Sequence, residues 1–191
     1  MTKFLKLCSI VALLLVFTNA NWPDTTYKQG YKEDFPTFGA IFNVNSTSIY
    51  DWDVFETTTQ DGWKLNFFRI KLYAKVLHYM RPGPTMENVV FMPGMGQDAE
   101  SWMNGYFVGH PLPLDLVDDG YTVYMCNNRG TKFSSQNTNV ADQTSEAYWN
   151  FDFTDMGMYD LPALLHSIKS ISKLECYNTG RSLRGCNYFN T

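Results

Sequence analysis

From Trp52 to Thr58 polar and apolar residues roughly alternate, Gln60-Asp61-Gly62 supplies turn chemistry, and alternation resumes from Trp63 to Ala74 around Leu65, Phe67, Ile70 and Leu72. Period two on both sides of such a turn predicts an antiparallel hairpin. Arg81-Pro82-Gly83-Pro84 forces a loop, because proline removes a backbone donor and restricts the residue before it. Val89 to Met92 is a short unbroken apolar run, the pattern of a strand buried on both faces. Pro93-Gly94-Met95-Gly96 then offers a pliant backbone, and Leu112 to Val117 carries helix-like spacing that stops at Asp119-Gly120. Tyr121 to Cys126 reads as a second buried strand. Thr154 to Ile171 reads as a helix, with Met158, Leu161, Leu165 and Ile168 at helical intervals and Thr154 or Asp155 as its cap. Strand, loop, helix, strand, loop, helix is the rhythm of an α/β fold with a parallel sheet and crossovers. Residues 21–48 show no period and read as an irregular surface arm.

The first twenty residues change the picture, because they read as a targeting segment. Lys3 and Lys6 precede an apolar run from Leu7 to Phe17, and the small residues Thr18 and Ala20 suit cleavage after Ala20. The run is roughly half of the about 20 apolar residues that a membrane span needs, so residues 1–20 are expected to be a cleaved signal peptide and the remainder to lack a stable span. Loss of Lys3 and Lys6 takes the formal charge from −4 to −6, which argues against a nucleic-acid partner. Asn45-Ser46-Thr47 is a glycosylation acceptor and fits a secretory route. Cys126, Cys176 and Cys186 remain after cleavage, so at most one internal disulfide forms, with its pairing open. No cofactor or metal signature is present. Asp115, Asp118 and Asp119, like Asp152, Asp155 and Asp160, read as solvated acidic faces with no ligand of another type beside them in sequence.

Three separated segments carry a family pattern. Glu56, Thr59, Asp61-Gly62-Trp63, Leu65 and Arg69-Ile70 resemble E-x-x-T-x-D-G-Y-x-L-x-x-x-R-I, with Trp63 in place of Tyr. Gly120 to Thr131 is similar to G-Y-D-V-W-x-G-N-x-R-G-N, departing at Thr122 and Cys126. Tyr148 to Ala163 resembles F-W-x-F-S-F-x-E-M-x-x-Y-D-L-P-A. Taken in order, they resemble the lysosomal and gastric acid lipases, of the AB-hydrolase-associated lipase type, over roughly residues 50 to 170. The resemblance implies a partial α/β-hydrolase fold over residues 49–191 and a serine ester hydrolase that acts on neutral-lipid esters without a cofactor. It implies a place outside the cell or in a lysosomal or vacuolar lumen, and leaves the oligomeric state open. It also suggests that Trp149, Phe151 and Phe153, which alternate at strand spacing, pack in the core.

That chemistry needs a serine on a sharp strand-to-helix turn flanked by glycines. The family writes the turn G-H-S-x-G, and its counterpart here is Gly180-Arg181-Ser182-Leu183-Arg184, where Arg184 replaces the second glycine. The preceding Cys176-Tyr177-Asn178-Thr179, where the fold has its central strand, is more polar than a buried strand should be. The oxyanion donors would be the backbone N–H groups of Leu183 and of Met95, in a loop where Pro93 stands in place of the family's His. Pro93 to Gly96 suits a plain tight turn equally well. In this fold the order is serine, acid, histidine, yet residues 183–191 hold no Asp, Glu or His. His78, His110 and His166 all lie upstream and read as surface or helix residues. Without a base Ser182 stays protonated and is a poor nucleophile. The sequence therefore predicts a truncated or decayed lipase that is inactive alone. The alternative is a secreted noncatalytic binding or interaction protein on the same scaffold.

Overall fold

The computed structural model describes residues 27–43, 49–73, 88–103 and 111–178. Strand β1 (Tyr27–Gln29) leads through a 3₁₀ turn (Lys32–Asp34) to helix α1 (Pro36–Asn43), then β2 (Tyr50–Thr58), β3 (Trp63–Leu72) and β4 (Asn88–Phe91). A 3₁₀ turn (Ala99–Trp102), helix α2 (Leu112–Asp118), β5 (Thr122–Met125), the two-residue β6 (Gln136–Asn137) and the single turn α3 (Glu146–Trp149) follow. A short helical turn (Phe153–Asp155) and a π-helical turn (Met156–Asp160) run into the long helix α4 (Leu161–Asn178). The strands lie in the order β1-β2-β3-β5-β4, with β6 also on β3.

The predicted hairpin is present: β2 and β3 pair antiparallel, Phe55 opposite Phe67 and Thr57 opposite Leu65. Gly62 sits in its turn at φ +94, and a Cβ there would come within 2.6 Å of Thr138 Oγ1, so any other residue would strain the backbone and displace the side chains of Thr138 and Asn139. Along β3, Trp63, Leu65 and Phe67 enter one apolar cluster with Leu164, Ile168 and Ile171 of α4. Phe68, Ile70 and Leu72 enter another, with Phe38 of α1 and Leu114 and Val117 of α2. Both faces of the sheet are thus covered by helices, giving an α/β architecture of three layers.

The sheet is mixed, as an antiparallel hairpin joined to parallel strands requires: β4 and β5 are parallel, and β5 joins the hairpin strand β3 antiparallel. Several other expectations change. Asn88, Val89 and Val90 are only half-buried, because β4 ends the described strand order and no described strand lies along its outer edge. The arm without period holds β1 and α1, and Phe38 is fully buried, stacked on Phe68 with ring centroids 3.8 Å apart. The cap expected at Thr154 or Asp155 is Asp152, whose carboxylate accepts from the N–H groups of Thr154 (2.6 Å) and Asp155 (3.3 Å) while Asp155 accepts from the Asp152 N–H. Trp149 and Phe153 are 54% and 69% exposed rather than core residues, because Ser145 and Asp152 cap helical turns and break the strand-like alternation. Only Phe151 turns inward, half-buried with its ring 5.2 Å from that of Trp63.

Candidate active site

The loop after β4 begins at buried Pro93 and turns at Gly94 to Gln97, where the Gln97 N–H donates to the Gly94 carbonyl at 3.1 Å. Met95 lies at the tip, 69% exposed. Asp98 then caps the 3₁₀ turn by accepting from the Glu100 N–H at 2.9 Å. The segment is a tight turn, and it holds the Met95 N–H in the loop that follows a strand. Ser182, Leu183, Arg184 and Asn45 lie outside the described residues, as do residues 1–20, His78 and His110. The backbone of Cys176 to Asn178 continues α4 and does not form a central strand. His166 is half-buried on that helix and accepts, through its backbone carbonyl, from Ser170 Oγ at 3.0 Å.

Sequence reasoning overlooked the strongest polar feature of the described residues. Arg129, 2% exposed, follows the end of β5 and reaches two aspartates from distant segments. Its Nη1 and Nη2 donate to Asp61, in the hairpin turn, at 2.6 and 3.1 Å. Its Nε and Nη2 donate to Oδ1 of Asp160 at 2.9 and 2.7 Å, and its backbone N–H to Oδ2 at 3.0 Å. Asp160 ends the π-helical turn at 0% exposure. The wider turn, closed by the Leu161 N–H on the Met156 carbonyl, brings its carboxylate to the Arg129 backbone. Trp63, Phe151 and Tyr159 put their rings within 5.8 Å of the guanidinium carbon. Burial works against the charge on Arg129, but the bonds it donates to Asp160 and Asp61, with their charges, outweigh it and hold the guanidinium above its ordinary value. Burial lifts the Asp160 carboxyl, against the pull of the three Arg129 donors. Each of the three charged residues lies in a different one of the three family-like segments, and that was the available signal.

Other candidates prove structural. Asp118 accepts from the Tyr50 hydroxyl at 2.9 Å, and burial together with that carboxylate pushes the Tyr50 phenol upward. Among the described residues no group of three His, Cys, Asp or Glu side chains could hold a metal, and no helix is long and apolar enough to cross a membrane. Cys126 is a free thiol, fully buried and pushed upward by that burial, so it is unreactive. The side chains of Cys176 and Cys186 lie outside the described residues.

No protein-family model matches the chain. It is 35% identical over 136 residues to lipase member N of Homo sapiens, covering 70% of this chain and 33% of that protein. It is 31% identical over 134 residues to triacylglycerol lipase 2 of Arabidopsis thaliana, covering 70% and 31%. It is 31% identical over 148 residues to lysosomal acid lipase/cholesteryl ester hydrolase of Rattus norvegicus, covering 75% and 36%. The chain spans about a third of the length of these relatives. Over the matched residues, the chain belongs to the acid lipase-like family.

Proposed function

We propose that this chain carries the sheet scaffold and the oxyanion loop of an α/β-hydrolase that cleaves carboxylic esters of neutral lipids. Ser182 Oγ would attack the ester carbonyl, and the N–H groups of Met95 and Leu183 would bind the oxyanion that forms. No cofactor enters this chemistry. The observation that supports it best is the Asp61–Arg129–Asp160 cluster, in which the three family-like segments meet next to Asn128, whose Nδ2 donates to the Pro93 carbonyl at the start of the loop that bears Met95. Residues 1–20 would direct the chain into the secretory route, toward the exterior or a lysosome-like lumen, with glycosylation at Asn45 on the way.

Residues 183–191 supply neither acid nor imidazole to Ser182, so the 191 residues by themselves are expected to turn over no ester. The purified chain should show no hydrolysis of p-nitrophenyl butyrate that Ser182→Ala abolishes; Ser182-dependent turnover would overturn this. A second reading, a noncatalytic binding protein, is favoured by the run of α4 through Asn178 and by Arg184 in the serine turn. A chimera separates the two, with residues 50–170 replacing the matched segment of the rat lysosomal acid lipase/cholesteryl ester hydrolase. Retained hydrolysis of a neutral-lipid ester supports a competent scaffold, and a folded but inactive chimera supports the second reading.

A further inference from the structure

Two consecutive amides at the end of β5 grip the loop after β4 at both its ends, and the chemistry above makes no use of them. Asn127 and Asn128 are both buried. Asn127 Oδ1 accepts from the Ala99 N–H at 2.8 Å, and its Nδ2 donates to the Asn66 carbonyl of β3 at 2.8 Å. Asn128 Nδ2 donates to the Pro93 carbonyl at 3.1 Å, while the Asn128 carbonyl accepts from Thr131 Oγ1 at 2.7 Å. Pro93 has a ring-fixed φ, so holding its carbonyl fixes the plane of the peptide that leads into Gly94. Gly94 and Gly96 would otherwise leave the turn many conformations. A carboxamide suits the task because it both donates and accepts; Asp, of the same shape, only accepts. The next residue, Arg129, is held through its backbone N–H by Asp160, so the strand end that carries both amides is itself anchored.

We propose that Asn127 and Asn128 are positioning residues that set the conformation of residues 93–99 and thereby the direction of the Met95 N–H. The ester hydrolase reading enters only in what that N–H binds.

Amide NMR spectra of the full chain, wild type beside Asn128→Asp and Asn128→Ala, test this. The Met95, Gly96 and Gln97 signals should be single and sharp in the wild type and split or broaden in both variants. The Gln97 and Ala99 amide protons should exchange at least about ten-fold faster, while Trp63 to Leu72 keep their wild-type positions and protection. Unchanged loop signals in a folded variant would overturn the proposal, as would exchange that rises equally in the hairpin, the mark of a merely structural role. If both variants lose the fold, the Asn128 side-chain amide protons of the wild type decide. Slow exchange supports the clamp, and exchange at the rate of an exposed amide overturns it. None of these signals depends on turnover, so an inactive chimera would count against the hydrolase reading alone.

Discussion

Arg69 and Arg129 are both buried guanidiniums paired with aspartate, yet they hold different things together. Arg69 faces Asp53 directly across the β2–β3 ladder, bonds it through Nε and Nη2, and shares it with Lys71 Nζ at 3.3 Å. That pair follows from hairpin register and needs nothing else in the chain. Arg129 bonds Asp61, 68 residues before it, and Asp160, 31 residues after it. Its pairing exists only when hairpin, strand end and helix have assembled, and its principal partner has no access to water. The same ion chemistry is a local brace in one place and the junction of the fold in the other.

Removing each arginine should expose that difference. Arg129→Met leaves Asp160 buried with only the backbone N–H of residue 129 as a donor and no neutralising charge, and breaking a buried pair in this way costs about 3–5 kcal/mol. Arg69→Met leaves Asp53 beside Lys71 and should cost about 1–2 kcal/mol. Urea unfolding followed by tryptophan fluorescence measures both, and equal losses would break the comparison. Arg129→Met combined with Asp160→Leu should recover most of the loss, because the stranded charge is gone.

A smaller effect is expected from the backbone that seats Arg129. Gly130 has φ +72, and a Cβ there would come within 2.8 Å of Phe151 Cζ and 3.2 Å of Trp149 Cζ3. Gly130→Ala therefore combines an unfavourable dihedral with pressure on two rings and should cost about 1–3 kcal/mol. The loss should appear as a lowered urea midpoint with an unchanged slope. A neutral substitution would mean that the rings and backbone yield freely and that the junction around Arg129 is looser than its bonds suggest.

How far the sequence reveals this arrangement depends on the range of the interaction. The hairpin was legible because its period of two and its Asp61-Gly62 turn are local facts. So was α2, whose end at Asp119-Gly120 follows directly from residue chemistry. Burial of Phe38 was not, since an eight-residue helix gives too few turns to display a period. The apolar run of β4 promised burial on two faces, but a run of residues cannot report its place in the strand order. Asp61, Arg129 and Asp160 each stood in a recognised motif, while the contact among them is a product of tertiary assembly. Of the aspartates read as solvated, Asp152 is exposed and caps a helix together with half-buried Asp155, whereas Asp160 is fully buried on Arg129, a contact that only the assembled fold creates. The serine turn was legible only as a motif.

The smallest effect sharpens the comparison from the side of the local brace. Burial pushes the Asp53 carboxyl upward, but the bond and charge of Arg69, with Lys71, outweigh it and hold the group below the ordinary aspartate value. Folded Asp53 thus binds a proton less readily than unfolded Asp53. Its contribution to stability is complete above the unfolded value, about pH 4, and is lost as the pH falls toward the depressed folded value. Asp53→Asn should accordingly destabilise by about 1 kcal/mol near neutral pH, with the gap from the wild type closing as the pH falls below about 4 and Asp53 itself becomes uncharged. Urea midpoints across that range measure it. A gap that stays constant into acid would mean that the cross-strand pair acts through packing alone, and Arg69 would then differ from Arg129 in kind as well as in reach.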